Sequence, residues 1–259
     1  MKKQIIKILK NLEKQNKIKI LFAIENGSRA WRMASKDSDY DVRFVFHRNS
    51  KEYLKLNKSI DVINASYDEN LKPCKPEGAL IDISGFDIFK FAELLYSSNP
   101  TTIEWLVSDI VYYGKQNRTF KNFALKNFSK IALYYHYKSM CKNNYLKYLK
   151  TSNDVTYKRY LYSFRGLINA KCVMHKKSIP PIIFIDAVKE IKGIVPDSVL
   201  KKIHEMIEIK SQGKEKDKIS NIPYIDNYIE KFIKEIENPE KVLKPDINIL
   251  NKEIQKILK

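Results

Sequence analysis

The sequence predicts an α+β fold in which a small mixed-sheet domain, residues 1–116, precedes an α-helical domain, residues 117–259. Three observations support this fold class. In the first part, apolar runs of strand length alternate with helical segments and with turns that contain Gly or Pro. After about Gly114 the apolar residues recur only with helical spacing. The hydrophobic fraction of 44% is ordinary for a globular protein, and no apolar run approaches the ~18 residues of a membrane span.

The elements of the first part follow in order from local patterns. Residues 2–16 place Ile and Leu on one helical face, and residues 18–24 change from alternation to an apolar run, which indicates a strand. The turn signal Asn26-Gly27-Ser28 comes next. The same reasoning predicts strands over 40–46, 60–63 and 80–83, helices over 51–56, 86–96 and after Asn99-Pro100-Thr101, and a Pro-rich loop over 72–78.

The second part is predicted to be helical, with the polar run 211–218 as a loop. Several of its segments begin with Pro, which is tolerated at the first position of a helix because the N–H there has no intrahelical partner. The predicted helices span 117–127, 130–150, 154–173, 182–192, 196–210, 222–237 and 246–258.

The net charge of +18 favours a polyanionic partner such as a nucleic acid, although composition offers another explanation. Of 48 basic residues 41 are Lys, and the chain is rich in Ile, Asn and Tyr, as an A/T-rich genome would produce. The distribution is uneven, because residues 117–259 carry +14 and residues 1–116 only +4. Three widely spaced cysteines and an N-terminus without a secretory signal pattern predict a cytoplasmic protein with no membrane partner.

The segment that indicates chemistry contains a Gly-Ser turn followed by two aspartates. Gly27 and Ser28 follow a strand and are predicted to open a helix, where backbone N–H groups can approach a phosphate. Asp39 and Asp41 are two residues apart at the start of the next strand, so both carboxylates are expected on one face. Such close carboxylates repel unless a cation lies between them, and Mg²⁺ prefers oxygen ligands of this kind together with substrate phosphates.

A third carboxylate, Asp82, lies within an apolar strand, where an unpaired charge is unfavourable to bury. If this strand pairs beside the strand of Asp41, Asp82 joins Asp39 and Asp41. Metal ions held by three carboxylates could then activate a hydroxyl for attack on a phosphoryl group. Asp87 is the alternative third carboxylate, but it follows a Ser-Gly turn and fits the first turn of a helix better.

Taken together, these motifs resemble the polymerase-β-like nucleotidyltransferase superfamily, and most closely its RlaP family of RNA-ligase-associated proteins. The resemblance covers about residues 20–185 and is carried by GSRAW, SDYDVRF, DISGFDIFKF, SNPTTIEWL, YYHYKSMCK, YLYSFRGLINA and PPI. It implies a set of catalytic metal ligands, namely Asp39, Asp41 and Asp82. It also implies a set of nucleotide-binding residues, namely Gly27, Ser28, Arg29 and Arg43.

The resemblance implies an enzyme that depends on Mg²⁺, or on Mn²⁺ in its place. Such an enzyme would transfer a nucleotide from a nucleoside triphosphate such as ATP to an acceptor hydroxyl, with release of pyrophosphate. An RNA end is the first acceptor expected, and a protein hydroxyl, as in AMP-transferring antitoxins, is the alternative. A non-catalytic nucleotide- or RNA-binding module of the same fold is the competing class. One residue departs from the family pattern: Arg32 stands where Gly is expected, and could crowd or reinforce the phosphate site.

Candidate contacts to the acceptor lie in the basic second part. His136 stands between two tyrosines, and Lys158, Arg159 and Arg165 lie on the predicted helix 154–173. Aromatic and basic side chains together can stack bases and bind phosphates. Ordinary helix packing is the alternative for His136 and for the tyrosines, and Lys158, Arg159 and Arg165 are the better candidates.

A zinc site is disfavoured, because Cys172 and His175 share a helix face but His136 and Cys141 point in different directions. An EF-hand calcium site is disfavoured because the loop would lack its Gly and Glu.

Overall fold

The computed structural model describes residues 1–151, 154–236 and 245–259. Its sheet consists of β1 (Lys19–Asn26), β2 (Tyr40–His47), β3 (Val62–Tyr67), β4 (Ile81–Asp87) and β5 (Val111–Gly114). The strand order is β3-β4-β2-β1-β5. β2 and β4 are parallel and the other neighbouring strands are antiparallel. The predicted α+β class with a mixed sheet is confirmed.

One face of the sheet forms a hydrophobic core with α1 (Lys2–Asn16). Successive residues of a strand point to opposite faces, so the alternation in β2 sends Val42, Phe44 and Phe46 to the same side. All three are fully buried and belong to one cluster with Leu9 of α1. The opposite side of β2 is therefore the side on which Asp41 lies.

The other face of the sheet is covered by aromatic side chains of three helices. These are α3 (Ile88–Tyr96), α4 (Pro100–Val107) and α5 (Arg118–Asn127). The ring of Phe91 lies 5.9 Å from that of Phe22 on β1 and 5.8 Å from that of Phe120 on α5. Trp105 of α4 stacks on Phe86 of β4 with ring centroids 4.6 Å apart. Large aromatic rings therefore join these helices to the sheet.

Contacts divide the described chain into two compact units. The first comprises Met1–Ala30, Ser38–Phe128 and the residues from 245 onward, and the second comprises Trp31–Asp37 and the described residues of 129–236. This division differs from the predicted boundary between residues 116 and 117. α5 belongs to the first unit because Phe120 packs on Phe91. The last helix, α11 (Asn248–Leu258), also contacts α5 and α3, which the predicted boundary did not anticipate.

The second unit is helical, as predicted for this part of the chain. Its helices are α6 (Lys130–Tyr145) with a π-helical continuation (Leu146–Lys150), α7 (Tyr157–Lys176), α8 (Phe184–Glu190), α9 (Asp197–Ser211) and α10 (Pro223–Lys234). α6 and α7 approach closely at Gly166, where a Cβ atom would lie 2.6 Å from the backbone of Tyr137 and Cys141. In the described ranges, no helix has the length and apolar character needed to cross a membrane.

Several predicted boundaries are wrong, and the pairing of strands explains most of the differences. β4 continues to Asp87 because it stays in register with β2 as far as Phe46, whereas a helix was predicted from residue 86. β5 was not predicted as a strand. Residue 237, at the end of the predicted helix 222–237, lies outside the described residues. The predicted helices 51–56 and 154–173 are observed as the 3₁₀ helix Ser50–Leu54 and as α7.

Candidate active site

The parallel pairing of β2 and β4 brings two of the three predicted carboxylates together. Asp41 and Asp82 are direct Cα partners in this register. Directly opposed residues on neighbouring strands project from the same face, so the two carboxylates are neighbours. Their side chains are partly buried, with exposed fractions of 22% and 32%. Ser66 of β3 also donates a hydrogen bond to the Asp82 carboxylate at 3.3 Å.

The guanidinium of Arg43 lies between these two carboxylates. Arg43 follows Asp41 by two residues on β2, so its side chain shares the same face. Its Nη2 atom is 3.0 Å from Oδ1 of Asp41 and 2.9 Å from Oδ2 of Asp82. Its Nη1 atom donates to the carbonyl oxygens of Val42 and Asp82 at 3.0 and 3.1 Å. One positive group therefore compensates two carboxylates that would otherwise repel each other.

Asp39 does not join this pair. β2 begins at Tyr40, so Asp39 precedes the strand and is exposed. Within the described ranges, no three Asp, Glu, His or Cys side chains are grouped so that they could hold a metal ion. The expected cluster of three carboxylates is thus observed as the pair Asp41 and Asp82.

The turn after β1 requires glycine for two reasons. Gly27 has φ +62°, a left-handed conformation that residues with a Cβ atom rarely adopt. A Cβ atom at this position would also lie 1.8 Å from Oδ2 of Asp41. The backbone of Gly27 therefore approaches the Asp41 carboxylate directly, and the following Ser28 is buried.

Arg29, which was predicted to neutralise phosphate, donates hydrogen bonds to backbone carbonyls of the same chain. Its Nε atom donates to the carbonyl of Asp39 at 3.0 Å, and its Nη2 atom donates to the carbonyl of Ser38 at 2.6 Å. The guanidinium also lies 3.8 Å over the ring of Tyr40. Arg29 therefore connects the turn after β1 to the start of β2.

Glu25 is a residue of this site that the sequence reasoning missed. Its side chain is completely buried at the end of β1, and its Oε1 atom accepts the backbone N–H of Asp41 at 2.8 Å. The hydroxyl of Tyr112 donates to the other carboxylate oxygen. Burial raises the pKa of Glu25 to about 7, against the lowering effect of these two hydrogen bonds. The signal was present, because a carboxylate ends an apolar strand immediately before the Gly-Ser turn.

The predicted acceptor residues occur in two settings in the second unit. Lys158 and Arg159 line a cavity of about 430 Å³ together with Asn144, Tyr148 and Tyr162. The Arg159 guanidinium lies 5.2 Å from the Tyr148 ring, and the Lys158 ammonium lies 5.9 Å from the Tyr162 ring. This cavity combines cations with aromatic faces, which suits a nucleotide base and its phosphate.

The other two candidates differ from this pair in their surroundings. Arg165 is buried and its guanidinium stacks 3.7 Å over the ring of Trp31, so it packs the segment 31–37 onto α7. His136 is exposed on α6, beside Tyr137. Neither lines the cavity of Lys158 and Arg159.

The sequence matches the family described as "RlaP: RNA repair pathway DNA polymerase beta family" over residues 1–258. The chain belongs to this family. The chain is also 34% identical to the "Uncharacterized protein YcgL" of Bacillus subtilis (strain 168) over 264 residues, which cover 100% of this chain and 95% of that protein. A nucleotidyltransferase-like protein from Exiguobacterium sibiricum 255-15 is a structural neighbour with a TM-score of 0.32 and 9% identity, covering 99% of this chain and 75% of that chain.

Membership of the RlaP family confirms the resemblance and extends it from residues 20–185 to the whole chain. The structure also explains why Gly is expected where this chain has Arg32. Arg32 has φ +57°, in the left-handed region that Gly adopts without strain. This RlaP chain therefore places an exposed Arg at a position whose backbone conformation favours Gly.

Proposed function

We propose that this RlaP-family protein is a Mg²⁺-dependent nucleotidyltransferase. It transfers a nucleoside monophosphate from a nucleoside triphosphate to an acceptor hydroxyl and releases pyrophosphate. The observation that supports this function is the register of β2 and β4, which sets Asp41 beside Asp82, next to the Gly27 turn. Paired carboxylates can hold a metal ion that neutralises charge on a phosphoryl group during its transfer.

The residues present fit a divalent metal ion. The donor set consists of carboxylate oxygens, which Mg²⁺ prefers, and Mg²⁺ usually takes only one or two carboxylates together with substrate phosphates. Arg43 acts as a stand-in cation, because its guanidinium bonds both carboxylates. Asp41 and Asp82 would hold the ion, which would neutralise charge on the phosphates. Asp39 remains a predicted further ligand, and the variants below test it separately.

The protein's own groups account for the other parts of the reaction. Backbone N–H groups of the turn at Gly27 and Ser28 would bind the triphosphate, and the absence of a Cβ atom at Gly27 leaves room for the Asp41 carboxylate beside them. Asp82 aligns the acceptor hydroxyl and accepts its proton. The acceptor oxygen forms a bond to the α-phosphorus while the bond from that phosphorus to the bridging oxygen breaks, and pyrophosphate leaves. Arg43 contributes positive charge to the phosphates.

An RNA end is the proposed acceptor. The family description refers to RNA repair, and residues 117–259 carry a net charge of +14. The cavity with Lys158, Arg159 and Tyr148 offers both a cationic and an aromatic surface to a nucleotide of single-stranded RNA. RNA binding at this cavity should weaken as salt is raised, because phosphate contacts release counterions.

The test is transfer of label from each of four α-³²P-labelled nucleoside triphosphates to total RNA or to protein of a cell lysate, with Mg²⁺ or Mn²⁺. The variants Asp41→Asn and Asp82→Asn should abolish the label, and Asp39→Asn measures the contribution of the exposed carboxylate. Asp217→Asn, in an exposed loop of the second unit, is the matched control and should label like wild type.

The product that carries the label identifies the acceptor class and the nucleotide together. Label on a protein band instead of RNA would replace the RNA acceptor by a protein hydroxyl. Absence of label with folded protein that still binds nucleotide would refute the enzyme and favour the non-catalytic binding module. Equal labelling by wild type, Asp41→Asn and Asp82→Asn would remove these carboxylates from the mechanism.

A further inference from the structure

We propose that the Arg43 side chain competes with the divalent metal ion for the carboxylates of Asp41 and Asp82. In the structure its guanidinium neutralises Asp41 and Asp82, and it would have to leave both carboxylates for a metal ion to bind to the same oxygens. This inference rests on the proposed function in one respect, namely that these carboxylates bind metal. It adds that metal binding and the release of Arg43 are a single exchange.

The geometry places Arg43 between the two carboxylates that would share a metal ion. A single nitrogen, Nη2, lies within 3.0 Å of one oxygen of Asp41 and one oxygen of Asp82. Asp41 and Asp82 would hold a Mg²⁺ ion through carboxylate oxygens, and the two oxygens bonded to Nη2 would have to exchange the guanidinium for the ion. Two cations between the same oxygens would repel each other strongly at this separation.

The contacts of the other guanidinium nitrogen explain why Arg43 is held in this position. Nη1 donates to the carbonyls of Val42 and Asp82, and the side chain is only 17% exposed. Displacement of Arg43 therefore breaks hydrogen bonds to neutral carbonyls in addition to both ion pairs. Metal alone is consequently expected to bind weakly, because each binding event must also break these contacts.

Bound nucleotide should offset part of the free energy that displacement of Arg43 costs. The triphosphate supplies new anionic oxygens, and a guanidinium binds phosphate as well as it binds carboxylate. Arg43 can thus exchange carboxylate partners for phosphate partners as the metal ion takes its place. Because coupling between two ligands is reciprocal, nucleotide should tighten metal binding and metal should tighten nucleotide binding, with Arg43 contributing to the coupling.

The test measures Mn²⁺ binding to the full-length protein by the electron paramagnetic resonance of free Mn²⁺, with and without a non-hydrolysable ATP analogue. Arg43→Gln should bind Mn²⁺ roughly tenfold more tightly than wild type without nucleotide, within the usual range of coupling between sites. The tightening caused by the analogue should be smaller in Arg43→Gln. Arg118→Gln, at an exposed position of α5, is the matched control and should behave as wild type.

Two further measurements keep the test decisive if Arg43→Gln is unstable. Arg43→Lys retains the charge but lacks the forked donor, so its Mn²⁺ affinity should lie between those of wild type and Arg43→Gln. In ¹⁵N-labelled wild type, the guanidinium resonance of Arg43, assigned with Arg43→Lys, should shift on saturation with Mg²⁺ and the analogue.

Different results would overturn the inference in distinguishable ways. If Asp41→Asn weakens Mn²⁺ binding but Arg43→Gln does not strengthen it, the metal site stands and the competition by Arg43 is refuted. An unchanged Arg43 resonance at saturating Mg²⁺ would refute it as well. If wild type and every Arg43 variant fail to bind Mn²⁺ with or without the analogue, both the competition and the metal-dependent function fail.

Discussion

Replacement of Glu25 by Gln should make the stability of the protein less sensitive to pH. Glu25 has a pKa of about 7 in the folded protein, raised from 4.5 chiefly because burial disfavours its charged form. Between these two values the folded state holds a proton that the unfolded state has lost. The stability that this group confers is therefore complete below about pH 4.5 and declines as the pH rises through about 7.

The size of the change in stability follows from the pKa shift of Glu25. A difference of about 2.5 pKa units corresponds to about 3 kcal/mol between pH 4.5 and pH values above 7. Gln has the same shape and no charge. Its oxygen can accept the N–H of Asp41 and its amide can donate to Tyr112, so Glu25→Gln retains both hydrogen bonds. Wild type and Glu25→Gln should be similarly stable at pH 5, and the variant should be more stable at pH 8.

Urea unfolding at pH 5, 6, 7 and 8 measures this difference, and the comparison with wild type cancels the other titrating groups. Glu69→Gln, at an exposed loop position, is the matched control and should follow the wild-type profile. Parallel profiles for wild type and Glu25→Gln would refute the reasoning. Such a result would mean that Glu25 titrates alike in the folded and unfolded states, and hence that its environment is not the desolvated one described.

Two backbone predictions concern the residues around the turn. Gly27→Ala should destabilise the protein by more than the ~1–2 kcal/mol of a left-handed Cβ residue, because its Cβ atom would also clash with Asp41. Gly78 also has a positive φ, but a Cβ atom there would meet open space, so Gly78→Ala measures the cost of the backbone conformation alone. If urea unfolding shows the same loss of stability for Gly27→Ala and Gly78→Ala, the predicted clash with Asp41 is contradicted. Arg32→Gly should relieve left-handed strain of about 1–2 kcal/mol, so it should lower stability less than a glycine substitution at a position with negative φ. Lys36→Gly, outside the positive-φ positions, should lower stability by roughly 0.5–1 kcal/mol, and a similar loss in Arg32→Gly would contradict the explanation from strain.

Local signals in the sequence predict the parts of the site that depend on residues close together in the chain. The turn at Gly27 and the strand of Asp41 could be predicted because each depends on a few adjacent residues. That Asp41 and Asp82 lie side by side could be predicted only on the assumption that their strands pair, since it depends on the parallel pairing of β2 with β4. That pairing joins segments about 40 residues apart and leaves no local pattern.

The features that the sequence did not predict correctly have equally specific causes. β5 is only four residues long and pairs at the end of β1, so its identity as a strand comes from its partner and not from its own pattern. β2 begins at Tyr40, as predicted, so Asp39 precedes the strand and the alternation that places the side chain of Asp41 does not extend to it. Glu25 was overlooked because it ends an apolar run, although the argument that singled out Asp82 applies to it equally.

The two arginines predicted to neutralise phosphate differ in what they must give up to do so. Arg29 donates hydrogen bonds to the carbonyls of Ser38 and Asp39, so a move to phosphate would leave these carbonyls without that donor and release the start of β2. The ion pairs of Arg43 are with carboxylates, which a metal ion can take over as ligands. When Arg43 moves to phosphate, it also gives up its hydrogen bonds to two backbone carbonyls, but a metal ion would compensate the two carboxylates that it leaves. For this reason Arg29→Gln should act mainly on stability, whereas Arg43→Gln should act mainly on metal and nucleotide binding.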